Sequence, residues 1–237
     1  MADFLLIHGT CHGAWCWRDM VAPLTALGHT VRSIDMPGHG GDTTPNDEVT
    51  LESCAKAILA ASTPDTLIVG HSWGGYPISA ATEIDPKAMR GLIYLCAYVP
   101  ISGMAMSEMR QLSKRQPLAG AINRGDDGTT YSVIKEKVAD LFYHDCPDAA
   151  VAYAMPLLRA QIIKPQATPL TVTKRFASVP KSYIRCADDH AIPPEFQLEL
   201  AKDFPKDRVF NMPTAHSPFF ADPQGLAAML DQISGQF

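Results

Sequence analysis

The apolar positions of this chain fall into short, near-continuous runs separated by stretches with helical spacing. Residues 4–7, 29–34, 66–69 and 92–96 read as strands, and 182–186 and 208–210 supply two more. Runs of this kind, rather than alternating ones, mark strands buried on both faces, so the sheet is expected to be mainly parallel and covered by helices. Helical spacing fills the gaps. It covers 17–27, stopped by Gly28, then 51–61 with Thr50 as N-cap, and 73–84, where Pro77 must lie within the first turn or so. A last helix is predicted over about 224–233.

The alternation breaks from about 100 to 179. Two helical patterns, 133–143 and 149–161, accompany a turn-rich piece at 123–128, and no flexible linker flanks them. The prediction is therefore an α/β fold of about six strands, with residues 1–99 and 180–237 as core. Residues 100–179 are expected to be a helical cap inserted after the fourth strand, lying over the site.

Composition narrows the function classes. The 237 residues are 46% hydrophobic and 19% charged, which suits one domain with ample material for a core. The formal charge is −5 and no Lys/Arg run occurs, so a nucleic-acid surface is set aside. No apolar run approaches the ~20 residues that span a bilayer, and residues 1–7 lack a basic export signal. A cytoplasmic protein with no membrane partner is expected. Cys11, Cys16, Cys54, Cys96, Cys146 and Cys186 contain no CxxC pair and read as reduced thiols. His8, Cys11, His12 and Cys16 crowd together, but neither their spacing nor a second ligand pair fits structural zinc. We read them as a loop used for something else.

The strongest chemical signal is Gly70-His71-Ser72-Trp73-Gly74, a G-x-S-x-G pentapeptide between an apolar strand and a helix pattern. In α/β-hydrolases that context holds a serine on a tight, strained turn at the strand's end. A serine hydroxyl is a poor nucleophile until a base takes its proton, and the base needs an orienting acid. The chain order in this fold is Ser, then Asp or Glu, then His. His216 follows the last strand, whereas His190 precedes it, so His216 is the expected base. Asp188 and Asp189 both follow the strand at 182–186. The residue at the far end of such a turn points back to the histidine, which favours Asp189 over Asp188. The oxyanion needs two donors, expected to be the backbone N–H groups of Trp73 and, from the loop after the first strand, Thr10.

Residues 7–15, Ile-His-Gly-Thr-Cys-His-Gly-Ala-Trp, together with 70–75 and Pro194-Glu195-Phe196-Gln197, resemble the plant methylesterase and hydroxynitrile lyase family of α/β-hydrolases and its bacterial esterase relatives. The resemblance covers essentially the whole chain and is weakest in the cap. It places the acid a few residues before P-E-F-Q, again favouring Asp189. Lyases of the family carry a threonine after the first histidine and a lysine after the catalytic one. Here those positions are Gly9 and Ser217, so the cation that would stabilise leaving cyanide is missing, and His71 matches the esterase pattern. The resemblance thus implies a serine hydrolase acting on a small-molecule carboxylic ester, without metal or organic cofactor. Cyanohydrin cleavage by the same triad and a non-catalytic ligand receptor are the alternatives.

Around the triad, His12 and Tyr98 follow strand ends and are expected to border the pocket. Met104, with Met106 and Met109, could line an adaptable apolar wall, although such spacing is more often plain packing. Residues 142–147, Phe-Tyr-His-Asp-Cys-Pro, resemble a second acid/base set. The simpler reading puts Asp145 or Cys146 near the cap of a helix opened by Pro147 and Asp148. The loop at 35–40 is read as a glycine-rich connector. The sequence leaves the oligomeric state open, a homodimer included, and does not name the ester.

Overall fold

The computed structural model describes residues 1–237. Nine strands occur: β1 (Asp3–Ile7), β2 (Thr30–Ile34), β3 (Thr66–His71), β4 (Gly91–Leu95), β5 (Ile122–Arg124), β6 (Thr130–Val133), β7 (Gln161–Ile162), β8 (Lys181–Cys186) and β9 (Val209–Met212). Six of them form one sheet in the order β2-β1-β3-β4-β8-β9. Every neighbouring pair in it is parallel, as the near-continuous apolar runs predict.

Alternate residues of each strand feed two separate cores. Phe4, Leu6, Leu67, Val69, Ile93 and Leu95 point to one face, packed by helices Arg18–Ala26 and Pro223–Ser234 through Met20, Leu24, Leu226 and Leu230. Leu5, Ile7, Ile68, Leu92 and Tyr94 point to the other, against helices Leu51–Ala60, Gly75–Ile84 and Pro194–Leu200. Each such side chain contributes about 1.5–3 kcal/mol of burial, so both faces hold the sheet rigid. Thr50 caps its helix as expected. Its Oγ1 accepts the Ser53 N–H and its own N–H donates to Ser53 Oγ, both at 2.9 Å.

The strand order also positions the site. From β1 the chain moves outward to β2, then crosses to β3 on the opposite side of β1. Ligands of open parallel sheets bind at such a reversal, outside the carboxyl ends of the strands. Ile7 pairs in register with Gly70, so the loop after β1 emerges beside the turn after β3.

The segment between β4 and β8 departs from the expected all-helical cap. It contains a three-stranded antiparallel sheet, β5-β6-β7, as well as helices. The 133–143 pattern is helix only over Lys135–Phe142, because Val133 ends β6. The 149–161 pattern is helix over Asp148–Ala154, and Gln161 begins β7. Short apolar runs of two to four residues are too brief for periodicity to separate strand from helix. Two core helices are each preceded by a 3-10 turn, at Ala14–Trp17 and Ser72–Gly74, and begin at Arg18 and Gly75, one and two residues later than predicted. No helix is long and apolar enough to cross a membrane.

Candidate active site

Ser72 sits where β3 ends and the 3-10 turn Ser72–Gly74 begins, with φ of +54°. A non-glycine residue in that left-handed region is strained and persists only when its surroundings over-determine it. Here they do. A Cβ at Gly74 would stand 2.8 Å from the His8 carbonyl oxygen and 2.9 Å from that of Ile7, so only glycine lets the turn press against β1. The Ser72 carbonyl accepts the Tyr98 N–H at 3.1 Å, fixing the turn from the β4 side as well.

His216 and Asp189 meet beside this turn. His216 Nδ1 donates to Asp189 Oδ2 at 2.8 Å, and the histidine and aspartate side chains are 2% and 0% exposed. Asp189 accepts three further hydrogen bonds: the N–H groups of Ala191 and Ile192 on Oδ1, at 2.7 and 2.8 Å, and Gln197 Nε2 on Oδ2, at 2.9 Å. With its proton held on Nδ1, His216 offers the Nε2 lone pair. Asp188 turns outward to His144 instead. Ser72 Oγ makes no hydrogen bond to a protein group.

His71, preceding the serine, lies wholly buried with its Nε2 donating to the His216 carbonyl at 2.8 Å and its rings' centroids 4.6 Å apart. Burial, then the neighbouring His216 and His12, push its pKa well below the usual histidine value, so it is a neutral strut. Its Nδ1 would lie 2.7 Å from a Cβ at Gly9, so residue 9 must be glycine while His71 stands there.

The loop after β1 is held differently. The Thr10 N–H is bonded to no protein acceptor, although the residues around it are tied on every side. The Thr10 carbonyl accepts His12 Nδ1 at 2.7 Å, and Thr10 Oγ1 accepts Gln166 Nε2 at 3.0 Å. Cys11 donates its N–H to Gln161 Oε1 at 3.1 Å and accepts the Arg159 N–H at 3.0 Å. Tyr143 donates its hydroxyl to His12 Nε2 at 2.6 Å. All of these partners outside the loop come from the segment between β4 and β8. At the front of the same loop, Asp35 accepts the Ala14 N–H, so the connector at 35–40 serves as a further brace.

The model of the alpha/beta hydrolase family matches residues 4–229. This chain belongs to that family. Among its homologues, methylesterase 7 of Arabidopsis thaliana is 29% identical over 251 residues, covering 99% of this chain and 96% of the relative. Methyl jasmonate esterase 1 of Vitis vinifera is also 29% identical over 251 residues, covering 97% and 95%. A crystal structure of a pyrethroid hydrolase from Sphingobium faniae JZ-2 superposes with a TM-score of 0.86 at 27% identity, covering 99% of this chain and 97% of that one. The homologues are thus carboxylesterase-type enzymes.

Asp189 and His216 are hydrogen-bonded at 2.8 Å beside the turn that carries Ser72 and Trp73, and the loop that carries Thr10 runs next to that turn. His12, expected at the pocket wall, instead has both ring nitrogens engaged inside the protein and is 1% exposed. Burial lowers its pKa to about 4. Tyr98 is 4% exposed and packs edge-on against Phe196. Met104 is half-buried, while Met106 and Met109 are buried in the core. Asp145, read as a helix cap, accepts the Ala215 N–H at 2.7 Å and so braces the loop that carries His216.

Phe142, stacked on His216 at 5.6 Å, and Tyr143 belong to the 142–147 stretch that the sequence marks only as a helix opening, and nothing in the sequence singles out Gln161 and Gln166. They lie in the segment whose spacing is least regular, and nothing local marks a glutamine or tyrosine as a loop anchor. A groove of about 1050 Å³ lies apart from these residues, lined by Val99, Phe176, Lys181, Phe196 and Arg208 among others, and it does not include Ser72.

Proposed function

We propose that this hydrolase cleaves small carboxylic esters by acyl transfer through Ser72. The observation that carries the proposal is the buried Asp189–His216 hydrogen bond beside a serine held at positive φ. Ser72 Oγ attacks the carbonyl carbon as its proton passes to His216 Nε2. The tetrahedral oxyanion accepts hydrogen bonds from the Thr10 and Trp73 N–H groups. Collapse expels the alcohol, which takes the proton from His216. Water then repeats the sequence on the acyl-enzyme and releases the acid. Asp189 holds the Nδ1 tautomer throughout and supports the imidazolium.

Residues 100–179 act as the cap in this reading. Phe142 shields His216, and Tyr98 and Met104 border the acyl or alcohol pocket. Ser72 is only 6% exposed, so an ester reaches Oγ when the cap yields. The homologues named as methylesterases support methyl esters of small organic acids as the first substrates to try. Lyase chemistry fits less well. Position 9 has no room for a threonine beside His71, and position 217 carries a fully buried serine rather than a cation.

The test is hydrolysis of p-nitrophenyl acetate and a panel of methyl esters. Wild-type protein should turn over, and Ser72→Ala should lower kcat by on the order of 10⁴-fold or more. Equal turnover by the alanine variant would refute the assignment.

A further inference from the structure

Outside the triad, one cluster of chemistry-bearing side chains is used by nothing described above. His144 follows helix Lys135–Phe142 in the cap, while Asp188 and His190 flank Asp189 on the turn after β8. The two imidazoles lie face to face, with centroids 3.8 Å apart and planes 20° from parallel.

Their hydrogen bonds share one pattern. His144 Nδ1 faces the Asp140 carbonyl at 3.0 Å. His190 Nδ1 faces the same carbonyl at 3.2 Å and the Asp140 Oδ1 at 3.1 Å. Both Nδ1 atoms therefore carry their protons toward acceptors, and in the neutral rings both Nε2 atoms keep a lone pair. Those Nε2 atoms face one carboxylate. Asp188 Oδ2 is 3.2 Å from His144 Nε2, and Asp188 Oδ1 is 3.9 Å from His190 Nε2. One ligand atom from each of the three residues lies within 4.8 Å of the other two.

A metal-binding histidine has this form: Nδ1–H tied to a backbone carbonyl or carboxylate, with Nε2 presented to the ion. The spacing suits a tetrahedral ion, because two ligands about 2.0–2.1 Å from zinc stand about 3.4 Å apart. Two imidazoles and a carboxylate favour a borderline transition ion over calcium or magnesium, which take oxygen ligands. We propose that His144, His190 and Asp188 form a surface site for a divalent transition ion of the zinc class, with Asp140 orienting both rings and the fourth position open to water.

The ion would join two parts of the chain that share no covalent neighbourhood. His144 belongs to the cap, and Asp188 and His190 belong to the turn that carries Asp189. The site would therefore staple the cap to the core at the rim of the active site. It does not depend on the esterase reading, since it needs neither Ser72 nor turnover.

The experiment is titration of EDTA-treated, dialysed full-length protein with zinc chloride by calorimetry, with thermal melts in parallel. One ion per chain should bind saturably, and saturating zinc should raise the melting temperature by roughly 5 °C. Magnesium and calcium should do neither. His144→Ala, His190→Ala and Asp188→Asn should each weaken zinc binding by about tenfold or more while keeping the metal-free melting temperature. Cys146→Ser, which removes the one partly exposed thiol, should bind as wild type. The proposal is overturned if no saturable site is found, if both histidine variants bind zinc as tightly as wild type, or if Cys146→Ser abolishes binding. If the single variants lose folded protein, His144→Gln supplies the same test with less loss of volume.

Discussion

Ser72 and Thr10 stand side by side at the end of adjacent parallel strands, but the chain holds them by different means. The Ser72 turn is locked by backbone. Gly74 presses onto the Ile7 and His8 carbonyls, the Tyr98 N–H bonds the serine carbonyl, and the strain at φ +54° is contained by these main-chain contacts. The Thr10 loop is locked by side chains. His12, Tyr143, Gln161 and Gln166 grip it, and three of those four lie more than 130 residues away. A part held by main-chain contacts resists change as a whole. A part held by distant side chains can be tuned, or released, one hydrogen bond at a time.

The largest effect should come from the backbone-held half. Gly74→Ala places a methyl group against the Ile7 and His8 carbonyls, at and just past the end of β1, which cannot move without disturbing the sheet. Overpacking of this kind costs about 3 kcal/mol, and we expect a melting temperature lower by roughly 5–10 °C. Calorimetric scans of the variant would check it. An unchanged melting temperature would mean that the turn is held less tightly than the geometry implies.

The pH dependence of stability sharpens the other half. Burial pushes the pKa of His12 down to about 4, and burial together with neighbouring histidines lowers His8 and His71 as well. In the unfolded chain these groups titrate near 6.5. Between pH 6.5 and 4 the unfolded state therefore binds more protons than the native state, and stability falls as the pH drops through that window. Each fully depressed histidine contributes up to about 1.4 kcal/mol per pH unit to the slope. Urea midpoints measured at pH 7 and pH 5 should differ accordingly, and His12→Gln should flatten the dependence.

The smallest change concerns a single bond. Tyr143→Phe removes the donor to His12 Nε2 and leaves that nitrogen buried without a partner, a loss of about 1–2 kcal/mol. If His12 sets the angle of the Thr10 peptide, kcat for p-nitrophenyl acetate should fall about tenfold while KM stays within twofold. A matched fall in binding alone would show that the loop shapes the pocket rather than the oxyanion site.

The same contrast explains what could be read from the sequence. Six core strands, most of the flanking helices and the pairing of Asp189 with His216 were legible, because long apolar runs and the residues that follow strand ends are local signals. Asp189 could be preferred over Asp188 on turn geometry, and the two side chains do point to opposite sides of the turn. The segment between β4 and β8 was legible only as an interruption. Its strands are two to four residues long, and its anchors Tyr143 and Gln166 become meaningful only once the fold brings them to Thr10. His12 illustrates the limit. Its place after β1 suggested a pocket wall, whereas a tyrosine far along the chain turns it into a buried brace.

The most direct test of the account is chemical trapping of the nucleophile. Wild-type protein treated with a fluorophosphonate should gain one phosphonyl group, located by peptide mass spectrometry on Ser72. The adduct should be absent in Ser72→Ala and should form far more slowly in His216→Ala. A protein that gains no adduct, or gains it on a residue other than Ser72, would contradict the account.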